Sequence, residues 1–112
     1  MTLPSADRAV VETAKVRDYL LSLQHPIGRA KARLFHALGF TQADWPKLQQ
    51  ALWDLARSGE AELVEANAFG QKYVVRGILQ GPSRGAAIVT VWIVLQGETV
   101  PRFVTAYPGA SS

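Results

Sequence analysis

From Gly59 onward the chain reads GEAELVEANAFGQKYVVRGILQGPSRGAAIVTVWIVLQGETVPRFVTAY (59–107). Apolar residues there either alternate with polar ones or run together in short stretches between glycines, which is the pattern of strands and not of a helix. Four strands are expected, at Glu60–Glu65, Gln71–Leu79, Ala86–Leu95 and Pro101–Tyr107. Their connectors, Asn67-Ala68-Phe69-Gly70, Gly81-Pro82-Ser83-Arg84-Gly85 and Gln96-Gly97-Glu98, are short and carry turn residues, so consecutive strands pair as hairpins. The simplest topology is an antiparallel meander.

Working back from Gly59, the spacing changes to three and four. Trp45, Leu48, Leu52 and Leu55 form one stripe of a helix that starts at Thr41 or Asp44 and takes Pro46 in its first turn. A helix over Arg29–Leu38, ended by Gly39, buries Ile27, Ala30, Leu34 and Leu38. A first helix, capped by Thr13, buries Val16, Tyr19, Leu20 and Leu23 and stops at His25-Pro26. Residues 1–59 are therefore a helical half, 60–108 an antiparallel sheet and 109–112 a tail of a single domain. With helices and strands segregated and no βαβ crossover, the class is α+β, with about three helices on one face of the sheet.

The chain has 112 residues, 48% of them apolar and 19% charged, the mix of one folded domain with one core. Absence of cysteine removes disulfide frameworks, thiolate zinc sites and cysteine nucleophiles. The start, MTLPSADRAV, lacks the apolar core of a secretory signal, and the ten-residue apolar run at Ala86–Leu95 is half of what a membrane helix needs. A soluble, cytoplasmic protein without a membrane partner is expected. A net charge of +3 favours an anionic partner.

Metal ligands at recognised spacing, a Gly-Lys-Ser/Thr phosphate loop and a Gly-x-Ser-x-Gly elbow are all missing from the sequence. The 81–85 glycine stretch lacks a following helix and reads as a turn. No metal or cofactor is expected. What remains is His25 at a break between helices, Lys31 and Arg33 six and eight residues later, and Lys72 and Arg76 on one parity of the second strand, facing away from the helices. Phe103, Thr105 and Tyr107 share one parity of the last strand. Trp92 and Tyr73 read as core, and partial burial in the second helix accounts for His36.

Histidine, cations and hydroxyls suit RNA cleavage without a metal, because the 2′-hydroxyl is an internal nucleophile. The enzyme must deprotonate it, protonate the leaving 5′-oxygen and stabilise charge at phosphorus. The same inventory on a solvated strand face also suits a non-catalytic RNA- or protein-binding module.

His25-Pro26-x-Gly28-x-x-Lys31-Ala32-x-x-Phe35, Lys72-Tyr73, Trp92 and Thr105-Ala106-Tyr107-Pro108 together resemble the bacterial family catalogued as domain of unknown function 6883. The resemblance runs from Leu3-Pro4-x-Ala6-Asp7 to Pro108, and is similar to the wider group of barnase, the endoribonuclease U domain, tRNA-cutting colicins and ribosome-associated toxin endonucleases. It implies a barnase-like arrangement of helices on a four-stranded sheet. It further implies a metal-independent endoribonuclease toxin of a toxin–antitoxin or polymorphic-toxin system, bound by an acidic antitoxin or immunity protein. Carried over by motif, His25 is the general base or acid, Lys31 a transition-state cation, Lys72 a second cation, and Thr105 and Tyr107 contacts of the scissile phosphate. Arg76 and Arg33 add substrate-binding charge by the strand and helix argument, not by a motif.

Overall fold

The computed structural model describes residues 1–24 and 29–109, the side chains of Arg29 and Ala30 excepted. Among them are three α-helical segments, two single 3-10 turns (Ala6–Arg8 and Gln42–Asp44) and four strands. α1 (Thr13–Lys15) runs on into a π-helical stretch (Val16–Leu20), α2 spans Arg29–Ala37 and α3 Trp45–Ser58. The strands are β1 (Glu60–Asn67), β2 (Gly70–Gln80), β3 (Gly85–Leu95) and β4 (Arg102–Pro108), paired antiparallel in the order β1-β2-β3-β4. The α+β class and the meander expected from the sequence are what the chain forms.

Strand alternation sorts the sheet into two faces. Tyr73, Val75, Leu79, Ile88 and Trp92 point at the helices and are buried with Val16, Leu20, Phe35, Leu48, Leu52 and Leu55 in one core. Trp92, fully buried, packs edge-on against Phe103 at 5.4 Å between ring centroids, and its indole N–H donates to Thr90 Oγ1 at 2.8 Å. The Thr90 hydroxyl in turn donates to the Val75 carbonyl at 3.0 Å, so a polar pair inside the sheet is satisfied. The opposite face carries a small apolar patch, Val74, Val89 and Val91 with Val104 against it. Lys72, Arg76 and Ile78 lie on this uncovered face.

Three local expectations are corrected. Thr13 is the first helical residue, not the cap; Glu12 precedes it in extended geometry without a side-chain cap bond. Leu23 is 52% exposed, because the helix ends after Leu20 with Leu21 N–H closing on the Val16 carbonyl, and position 23 no longer follows helical spacing. Phe103 does not share a face with Thr105 and Tyr107. A bulge between them sets Val91 opposite Thr105 but Trp92 opposite Phe103, so the extra residue, Val104, reverses the parity. Phe103 thereby faces the core. The expected burial of Ile27 and Ala30 lies outside the described side chains.

Two further contacts position the rest. The 81–85 stretch is a hairpin turn, as its chemistry suggests, and Ser83 N–H donates to the Leu38 carbonyl at the end of α2. The His36 ring, half-buried, donates from Nε2 to the Leu21 carbonyl at 3.0 Å and ties α2 to the end of the first helix. No helix among the described residues is long and apolar enough to cross a membrane.

Candidate active site

β4 is the last strand of the sheet, and at its start Val10 bonds alongside it, through Val10 N–H to Pro101 and Phe103 N–H to Val10. Farther along, the flank of β4 is approached by the π-helical stretch and by α2. Here the Lys31 ammonium donates to Thr105 Oγ1 at 2.6 Å, a contact across 74 positions of sequence. Tyr19 Oη lies 3.4 Å from the same hydroxyl. Lys31 Nζ stands 5.5 Å and Lys15 Nζ 5.9 Å from the centre of the Tyr19 ring, both within cation–π range.

The sequence explains why these groups meet. Lys15 and Tyr19 are four apart on one helical segment, which sets them on neighbouring positions of its surface. The π-helical turn lets Val16, Leu20 and Leu21 all reach the core while Tyr19 stays half-exposed toward β4. Single π turns of this kind recur at functional sites. On α2 the buried Ala32 and Phe35 fix the helix face, so half-buried Lys31 projects along the boundary between core and solvent. The bulge in β4 aims Thr105 at it.

Burial alone would push the Tyr19 phenol up. The hydrogen bond to Thr105, that from Lys31, and the positive charges of Lys31 and Lys15 outweigh burial and hold it below the ordinary tyrosine value. A cation, an aliphatic hydroxyl and a phenol inclined to release its proton thus share one spot. That arrangement can hold an anionic oxygen and supply it with a proton.

The sheet register locates the other expected residues. Thr105 pairs with Val91 and Val91 with Val74; one row along, Tyr107 pairs with Val89 and Val89 with Arg76. Tyr107 and Arg76 line the same cavity, about 520 Å³, on the uncovered face. Arg76 also forms a 3.5 Å ion pair with Glu62 of β1. Lys72 lies in the row on the other side, opposite Ile93. Arg33 is exposed on α2, two positions from Lys31 and so on another side of the helix. His25 lies outside the described residues. The structure therefore joins Lys31 to Thr105, places Tyr107 and Arg76 one row away, and sets Lys72 and Arg33 apart from that pair.

Sequence reasoning did not single out Lys15 and Tyr19. Their spacing on the first helix was a usable signal, but Tyr19 also fits the apolar stripe and was read as core.

A small α+β domain with a cation–hydroxyl site on the last strand of a four-stranded antiparallel meander is the class these features define. The chain belongs to the family described as Domain of unknown function (DUF6883), whose model matches residues 2–110. Its fold is similar to that of a solved chain from the contact-dependent growth inhibition toxin–immunity protein complex of Klebsiella pneumoniae 342, with a TM-score of 0.72 and 19% identity, over 90% of this chain and 100% of that one. No curated protein matches the sequence.

Proposed function

We propose that this chain is a toxin-type endoribonuclease that cleaves RNA by 2′-hydroxyl attack without a metal and is held in check by an immunity protein. The observation that carries the reading is the convergence of Lys31, Thr105 and Tyr19, with Lys15 beside them. The fold it shares with a chain of a toxin–immunity complex supports the biological setting.

Lys31 and Thr105 bind a non-bridging oxygen of the scissile phosphate and hold the charge that grows there during attack. His25 accepts the 2′-hydroxyl proton as the 2′-oxygen–phosphorus bond forms. Tyr19, whose proton is loosened by its neighbours, donates to the 5′-oxygen as its bond to phosphorus breaks. The products are a 2′,3′-cyclic phosphate and a free 5′-hydroxyl. DNA lacks the nucleophile and is left uncut.

The test is incubation of the purified protein with total RNA in EDTA, beside Lys31→Ala, His25→Ala and a DNA substrate. Cleavage ending in 2′,3′-cyclic phosphate is expected, with Lys31→Ala slowed about 10²- to 10³-fold and DNA intact. RNA that is bound but never cut, with or without EDTA, would replace this reading by that of a non-catalytic binding module.

A further inference from the structure

The cavity on the uncovered face of the sheet lies outside the chemistry just described. It is lined by Arg76 and Ile78 of β2, Ala87 and Val89 of β3, and Tyr107 of β4. Its volume, about 520 Å³, is that of a small-molecule site. The floor is apolar, and the two sides are a planar cation and an aromatic ring.

Arg76 and Tyr107 both pair with Val89 from opposite sides, so their backbones stand two strand spacings apart, about 10 Å. A flat group lying over Val89 would have the Tyr107 ring on one side and the Arg76 guanidinium on the other. The ion pair with Glu62 directs Arg76 toward β1. That pair is exposed on both sides and so weakly held. Ile78, 67% exposed, and Tyr107, 41% exposed, leave apolar surface at the mouth that no other described residue covers.

Thr105 and Tyr107 are two residues apart on the same strand and face, which separates them by about 7 Å. A phosphate on Lys31 and Thr105 would carry its neighbouring base to the cavity. We propose that this cavity is a nucleobase pocket in which a base flanking the scissile phosphate is held against Tyr107 and Arg76. The inference rests on the RNA-cleaving reading of the Lys31–Thr105 site and adds the substrate contact that fixes where along the RNA the site acts. Single-stranded RNA is read by such means, unstacked bases resting on aromatic rings and guanidinium planes.

The experiment is an NMR titration of the intact protein with each of the four nucleoside 3′-monophosphates, and with inorganic phosphate as the base-free probe. Ile78 and Val89 methyl signals are expected to move with nucleotides only, and Thr105 with both probes. Tyr107→Ala should weaken the best nucleotide about tenfold or more. Ile78→Ser, at an exposed position with no part in the phosphate site, should weaken nucleotides in the same sense and leave the affinity for phosphate unchanged. Equal affinities for nucleotides and phosphate, with Ile78 and Val89 unmoved, would overturn the pocket while leaving the phosphate site standing. Movement at Ile78 and Val89 without Thr105 would support the pocket and overturn the phosphate site. Silence with every probe would overturn both.

Discussion

A phenol beside two ammonium groups and a hydroxyl titrates differently from a free one. Because the folded-state value of Tyr19 lies below the ordinary value, the folded chain binds fewer protons than the unfolded chain between the two. Stability from this group is therefore fully present above the unfolded value and is lost as pH falls through the lowered folded value. In an ultraviolet titration of phenolate, an early step below the ordinary tyrosine value is expected, and Tyr19→Phe should delete it. Lys31→Met should move the step upward, toward the ordinary value. A step unaffected by Lys31→Met would show that the ammonium does not set the phenol's proton affinity. A second residue-scale test concerns the core. Thr90→Val removes the only described hydrogen-bond acceptor of the buried Trp92 N–H and should cost about 1–3 kcal/mol, read as a lower urea midpoint at unchanged slope. Adding Trp92→Phe should bring less further loss than the same change made alone, since the orphaned donor leaves with the indole.

At the scale of elements, the bulge in β4 is what turns Thr105 toward Lys31. Removing Val104 would restore one-to-one pairing between Trp92–Phe103 and Val91–Thr105. Val104 belongs to the small patch on the uncovered face and not to the main core, so the shortened chain is expected to fold. Thr105 would keep Val91 as its partner but lose the local bend and twist of the bulge, and a displacement of about 1 Å at such a site costs on the order of 10²-fold in rate. Circular dichroism and RNA cleavage of the deletion variant separate the two effects; an active, folded variant would show that the bulge does not position Thr105. The same bulge marks a limit of reading from sequence. The alternation in Arg102–Tyr107 is regular by itself, and only the register against β3 reveals the extra residue. The change from helix to strand at Gly59 was legible because hydrophobic period is local, and the 81–85 turn was legible from its glycines and proline. The end of the first helix was not, since a π-helical turn closes by a backbone bond that no side chain announces. The Lys31–Thr105 contact lies beyond local pattern altogether; both residues came from family motifs, whereas Lys15 and Tyr19 needed the folded chain to show what they touch.

For the whole molecule, a net charge of +3 is too small to bind RNA by itself, so the proposed RNA binding rests on where the cations stand. Lys15 and Lys31 cluster at the β4 flank, while Lys72 and Arg76 stand on either side of the Thr105 row across the uncovered face. If these four each neutralise one phosphate, the logarithm of the RNA binding constant should fall with the logarithm of salt at a slope of about −3, since single strands release about 0.7 counterion per contact. Measured with a DNA strand or a non-cleavable 2′-methoxy RNA, the slope is free of turnover. Replacing Lys15 and Lys31 by Met should lessen it by about 1.4. Charge reversal at exposed Arg57, on α3 and already paired with Asp54, should leave it unchanged. A slope that responds equally to Arg57 and to Lys31 would mean that RNA is held by overall charge, and that the residues gathered around Thr105 do not form its track.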